Sequence, residues 1–321
     1  MATLLAPEPV RTRAPAHLLT LTDLGPVGLR ELLDLARRVK SEPEAYRARL
    51  AGGRLAMIFH KRSTRTRVSF ESAAWLLGVL PSVLRPDELQ LGRGETVADT
   101  ARTLSLYVDA VVIRTFAQLM VEQLAEASSV PVINALTDEH HPCQALADVL
   151  TLEEEFGSLA GIQVAFIGDG DNVCTSLIQA AALAGFELRV ATPAGYEPPA
   201  EIVAAARRQA ELSGGTIVLT DDPREAVLGA EAVCADVWTS MGKEGEQAAR
   251  IRAFTGYTVD AALMRGAART AIFMHCLPAH RGEEVTDEVI DGPASRVWRQ
   301  AGNRLWTEAA LLHRLLAPRI E

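Results

Sequence analysis

The chain has 321 residues, 48% hydrophobic and 23% charged, which is enough apolar sequence to bury a large core and excludes a predominantly disordered protein. At this length about two domains of roughly 150 residues are expected. A formal charge of -9 argues against nucleic acid or an anionic membrane as the main partner, so an anionic ligand needs a local basic pocket.

In chain order, apolar residues recur at helical spacing over 18–40, and a strand is expected over 55–59 after the Gly52-Gly53 break. Then come helix 68–77, strand 79–84, helix 96–107, strand 110–113, helix 117–127 and strand 131–133. Helix 141–156 leads to strands over 162–167, 187–191, 216–219, 232–235 and 271–274, and a last helix is expected over 303–316. This alternation predicts an α/β protein: two doubly wound domains, each a mostly parallel sheet flanked by helices, joined by interdomain helices. The first domain is placed at 1–141 and the second at 142–302, with helix 303–318 packing back on the first. No internal repeat or low-complexity segment is apparent.

Of the 32 cationic residues only Lys40, Lys61 and Lys243 are lysines, leaving 29 arginines, the side chain that best forks onto carboxylates and phosphates. Base composition or a hot habitat explains that bias equally well. The four cysteines, Cys143, Cys174, Cys234 and Cys276, have no CxxC spacing, so neither a disulfide framework nor a cysteine-based zinc module is indicated. No stretch reads as a signal peptide and none reaches the roughly 18 apolar residues of a membrane span, so a soluble, cytoplasmic protein is expected.

The strongest local signal is the run from Phe59 to Glu71, where a strand ends and a helix begins with Ser63, Thr64, Arg65, Thr66 and Arg67 at the junction. Unpaired first-turn amides, hydroxyls and a guanidinium fork converge there into an anion site, and the glycines of a Walker loop are missing. A simple helix cap amid solvated arginines explains the serine but needs only one hydroxyl. Arg114 closes a strand and projects from the carboxyl edge of the same sheet. In His140-His141-Pro142-Cys143-Gln144, Pro142 suits a first helical turn, and His141 and Gln144 share a face. Metal binding by His140, His141 and Cys143 is disfavoured by the spacing.

In the second half, Gly168-Asp169-Gly170-Asp171-Asn172 invites a dinucleotide reading, but Val173 stands where the third glycine belongs, and a tight turn presenting Asn172 is the simpler account. Asp236 to Gly242 follows a strand and carries a carboxylate, Trp238, Ser240 and Met241. His275-Cys276-Leu277-Pro278 ends another; a thiol hydrolase dyad lacks an orienting residue there, and a buried or ligand-contacting thiol fits better.

Taken in order from 18 to 316, these motifs resemble the carbamoyltransferases, and within them the ornithine carbamoyltransferase family. The Ser240-Met241-Gly242 segment replaces the basic loop of the aspartate-specific relatives. The resemblance implies transfer of a carbamoyl group from carbamoyl phosphate to the side-chain amine of L-ornithine, giving L-citrulline and phosphate. It places the phosphate on Ser63, Thr64, Arg65 and Thr66, and the carbamoyl end near Arg114, His141 and Gln144. Thr66, Arg114 and His141 would stabilise the oxyanion. It gives Gln90, from a neighbouring subunit, and Arg304 further contacts to carbamoyl phosphate. Ornithine falls to Asn172, Asp236, Ser240, Met241, Cys276 and Leu277, with Asp236 and Cys276 as positioning groups and the 240–246 loop as a lid. No cofactor, nucleotide, metal, nucleic acid or membrane is implied, and a trimer or multiple of trimers is. Two alternatives stand: another acceptor such as acetylornithine or putrescine, or a non-catalytic binding protein on the same fold.

Overall fold

The computed structural model describes residues 16–91 and 94–320; residues 1–15 of the first expected domain and Gly92 of the Gln90 loop lie outside them. One 3-10 turn, Leu21–Leu24, leads into α1 (Gly25–Ser41). Then follow β1 (Arg54–Phe59), α2 (Thr64–Leu77), β2 (Leu80–Leu84), α3 (Val97–Ser105), β3 (Ala110–Arg114), α4 (Gln118–Ala127) and β4 (Val132–Leu136). Helix α5 (Pro142–Phe156) crosses to β5 (Gln163–Ile167), α6 (Asn172–Ala184), β6 (Glu187–Ala191), α7 (Ala200–Ser213), β7 (Thr216–Thr220), β8 (Ala232–Ala235) and β9 (Ile272–His275). The last helix is α8 (Val297–Ile320).

Two parallel sheets result, with strand orders β2-β1-β3-β4 and β7-β6-β5-β8-β9. Strands β3 and β4 are buried along their whole length, as the continuous apolar runs of parallel strands covered on both faces require. Helix α5 is buried from Pro142 to Glu153 and α6 from Asn172 to Leu183, so both lie inside the molecule rather than on it. Helix α8 packs against α1, α2 and α5. One continuous core therefore runs from Leu55 and Met57 of the first sheet to Val164 and Phe166 of the second.

Strand order reverses between β1 and β3 and again between β5 and β8, the places where an open α/β sheet leaves a crevice at its carboxyl edge. The register brings the ends into line: Phe59 lies beside Arg114, and Ile167, Ala235 and His275 form a row. Asp236 and Cys276, directly after two of these ends, line one cleft together with Arg114 itself and with residues 61–66 beyond Phe59.

The differences from expectation have identifiable causes. Helix α2 begins at Thr64, ahead of 68, because its first turn is polar and carries no apolar period. Helix α8 spans Val297–Ile320 rather than 303–316; in its added first turn and a half Gln300 is a buried polar residue that reads as solvated. Helix α7 has no counterpart among the expected elements; its buried stripe is Val203, Ala206 and Ala210, too small to mark a strong period. Strand β4 extends to Leu136 through Asn134, a polar residue that ends the apolar run early.

Candidate active site

Ser63 is the N-cap of α2, and its Oγ accepts the Thr66 amide at 3.1 Å. The capping explanation for this serine thus holds, while the remaining first-turn amides still lack intrahelical partners. Arg114 is buried at the end of β3, where a register shift between Ile113 and Arg114 re-aims the strand, and its Nε has no partner. Arg304 arrives from α8, with Nη1 donating to Gln144 Oε1 at 2.9 Å and Nη2 to Thr66 Oγ1 at 3.2 Å.

Three guanidiniums thus meet in one place, and among the described residues only Arg304 has a carboxylate partner, Glu308, at 2.7 Å. Burial, reinforced by Arg304 and Arg65, pulls Arg114 down to about 10, which leaves it cationic at neutral pH. Burial works against the charge on Arg304, but the adjoining Glu308, with Cys143 and Asp148, more than restores it. His141, the N-cap of α5, is driven well below the usual histidine range by burial and by the same three arginines, so it stands neutral with Nδ1 unpartnered. An excess of buried positive charge in a dry pocket is costly unless an anion completes it.

The opposite wall is acidic. Asp236 follows β8, and its Oδ1 accepts the Val237 amide at 2.7 Å and the Cys276 thiol at 2.8 Å. Burial raises both groups, and Asp236 raises Cys276 further, so the thiol keeps its proton. Asn172 opens α6, and its Nδ2 donates to the Thr137 carbonyl at 2.5 Å. The turn before it needs Gly170, where a Cβ would lie 2.3 Å from the Pro198 nitrogen. Ser240 Oγ donates to Asp171 Oδ2 at 2.7 Å, and Lys243 Nζ stands 3.8 Å from both Asp169 and Asp171. Arg250 pairs with Asp169 and donates to the Trp238 carbonyl at 2.8 Å, which ties down both ends of the 238–250 segment. Gly242, with φ of 98°, turns that segment over the Phe116 ring.

The two walls meet directly. Arg65 Nη2 donates to the Leu277 carbonyl at 2.7 Å, and that oxygen keeps a second lone pair for another donor. Leu277 has φ of 60°, a conformation non-glycine residues seldom adopt and one that cleft residues often do. The cleft measures about 340 Å³ and gathers every site residue expected from sequence except Gln90, which is exposed outside it. Arg67, a supporting cation in the motif, is turned away and pairs with Glu71 at 3.1 Å.

Lys61, Arg62, Leu136, Val173, Val237 and Pro278 also line the cleft without having been singled out. Four of them adjoin a chosen motif residue, which is the only signal they carry. Lys61 is buried, pairs with Asp138 and lies 4.6 Å from the Phe116 ring centre. Among the described residues two groups have the donor types of a metal site, Asp236–His275–Cys276 and His280–Glu283–Glu284. In the first, His275 Nδ1 already accepts the Leu277 amide at 2.9 Å.

A cleft with a cationic wall and an acidic wall suits an anionic group placed beside an amine. Comparison with known proteins places this chemistry. Residues 16–154 match the model of the aspartate/ornithine carbamoyltransferase carbamoyl-P binding domain, and residues 160–315 that of the Asp/Orn binding domain. The ornithine carbamoyltransferase of Acidothermus cellulolyticus is 51% identical over 300 residues, covering 94% of this chain and 96% of that protein. That of Bacillus subtilis is 51% identical, covering 93% of each. The solved structure of ornithine carbamoyltransferase from Pyrococcus furiosus superimposes with a TM-score of 0.92 at 46% identity, covering 97% of this chain and 100% of that one. With both domain models matched and half of the sequence shared with these relatives, the chain belongs to the aspartate/ornithine carbamoyltransferase family.

Proposed function

We propose that this protein transfers the carbamoyl group of carbamoyl phosphate to the side-chain amine of L-ornithine, giving L-citrulline and phosphate. One observation carries the reading: Arg65, Arg114 and Arg304 crowd a helix N-terminus with a single carboxylate among them, opposite Asp236 and Cys276. The family supplies the reaction class, and the Ser240-Met241 segment beside Asp236 supplies the preference for ornithine.

The phosphate rests on the α2 N-terminus with Ser63, Thr64, Arg65 and Thr66, where amides and guanidiniums offset its charge. Thr66, Arg114 and neutral His141 face the carbamoyl oxygen, and Gln144 faces its amide. The α-amino and α-carboxylate groups of ornithine are held by Asn172, Asp236, Ser240 and Met241, and Cys276 and Leu277 border the reacting amine.

The amine must be neutral to attack, and an unperturbed value near that of lysine, about 10.4, has to fall; burial in a closed cleft favours the neutral form. Its lone pair forms the C–N bond, the carbonyl electrons move onto oxygen, and the intermediate collapses with cleavage of the bond from carbon to the phosphate oxygen. The departing phosphate takes up the amine proton, so no protein base is needed. Preorganised donors around the developing oxyanion supply the electrostatic part of the catalysis and the cleft supplies the proximity.

A trimer completes the assembly, with Gln90 entering a neighbour's cleft, and the working location is the cytoplasm. Among the described residues no helix is long and apolar enough to cross a membrane. The domain division falls at 141/142, with α8 returning to the carbamoyl phosphate domain. The deciding measurement is product formation from carbamoyl phosphate with ornithine, acetylornithine or putrescine. Citrulline from ornithine is expected; product only from one of the other amines overturns the acceptor, and none from any overturns the enzyme.

A further inference from the structure

Asp148 lies one helical turn beyond Gln144 on α5, is buried, and takes no part in the cleft lining. Its Oδ1 accepts Gln144 Nε2 at 2.8 Å and Gln300 Nε2 at 2.7 Å. Burial raises Asp148 to about 6, so above that pH it is a carboxylate with no hydrogen to donate, and each amide turns its NH2 edge toward Asp148 and its oxygen the other way. For Gln144 the other way is the cleft: Oε1 accepts from Arg304 Nη1 at 2.9 Å, and Arg304 lines the cleft where Asp148 does not. For Gln300 it is the end of β9, where Oε1 accepts the His275 amide at 2.9 Å.

We propose that Asp148 is a positioning residue that locks the Gln144 amide with its oxygen toward the acyl group, so that the cleft selects an acyl phosphate bearing NH2 over one bearing CH3. The inference rests on the carbamoyl transfer proposed above. A carbonyl oxygen already bonded to Arg304 keeps a second lone pair for a donor. The carbamoyl NH2 offers that donor, whereas the methyl of acetyl phosphate leaves the oxygen desolvated and unpaired. Sites built around such a bond reject the analogue lacking it far more strongly than shape alone does. With Asn at 148 the carboxamide can also donate, and Gln144 loses its reason to keep one orientation.

The test measures the KM for carbamoyl phosphate in citrulline synthesis and the inhibition constant of acetyl phosphate against it, in the wild type, Asp148→Asn and Gln144→Met. The expected result is that Asp148→Asn narrows the preference for carbamoyl over acetyl phosphate by about tenfold or more, mostly through KM for carbamoyl phosphate. Gln144→Met, which removes the oxygen and leaves Asp148 in place, is expected to narrow it likewise, so that the proposal stays refutable if Asp148→Asn does not fold. An unchanged preference in a folded Asp148→Asn, or in Gln144→Met, overturns the proposal. A wild type that makes no citrulline overturns the underlying reading instead, so the two failures are distinguishable.

Discussion

At the scale of single residues, the cleft contains groups whose position makes sense for function and not for stability. Arg114 is buried with an unpartnered Nε beside two like charges, so the free protein carries it at a cost. Arg114→Met keeps the volume and removes the charge. In phosphate-free buffer its melting temperature is expected to equal or exceed that of the wild type, while kcat falls about 10²–10³-fold, the usual effect of losing one oxyanion donor. A clear drop in melting temperature with unaltered turnover identifies the arginine as structural.

His140 makes a different kind of statement. Burial lowers it to about 4, so the folded protein holds it neutral, with Nδ1 unpartnered. A depressed value means that its contribution is complete above the unfolded value of about 6.5 and is lost as pH falls toward 4. At about 1.4 kcal/mol per unit the full loss is about 3–4 kcal/mol. Denaturant titrations at pH 7.5 and 4.5 should therefore show a wild-type loss that His140→Gln reduces. Equal losses in the two proteins place the acid sensitivity elsewhere.

At the scale of elements, the site is a set of strand ends followed by short turns. The tightest is the β5–α6 turn, where Gly170 lets the backbone pass within contact of Pro198. Gly170→Ala has no room, because all three nearest atoms are backbone, and the turn carrying Asp171 and Asn172 must shift. The expected outcome is a rise of tenfold or more in the KM for ornithine, with the KM for carbamoyl phosphate changing far less; equal effects on both would show general destabilisation. This turn was legible in the sequence as strand, glycines and helix. The extent of α8 was not: its Gln300–Arg304–Glu308 face is polar because it meets Asp148, Gln144 and Thr66 inside the molecule. Hydropathy cannot tell a buried polar face from a solvated one.

At the scale of the whole molecule, each walled cleft is made by both sheets, and Gln90 stands outside its own. If neighbouring subunits share sites as proposed, Arg65→Ala and Gln90→Ala homo-oligomers should each be poor enzymes. Dissociating, mixing and reassociating the two should restore a fraction of wild-type activity, since some clefts then receive an intact Arg65 and an intact Gln90. Activity no greater than the average of the parents removes Gln90 from the neighbour's site.

The fold class, the two sheets and most of the residues that line the cleft were legible in the sequence, because strand-to-helix junctions are local and their chemistry is written in consecutive residues, whereas Lys61 and Leu136 carry no such mark. Ser63 to Thr66, His141 to Gln144 and Cys276 to Leu277 each announce themselves within four positions. What those groups bond to is visible only in the folded molecule: Arg65 with the Leu277 carbonyl, Ser240 with Asp171, and Asp148 between Gln144 and Gln300. Those pairings join residues as much as 212 positions apart and depend on how the two sheets and α8 pack, which no local pattern encodes.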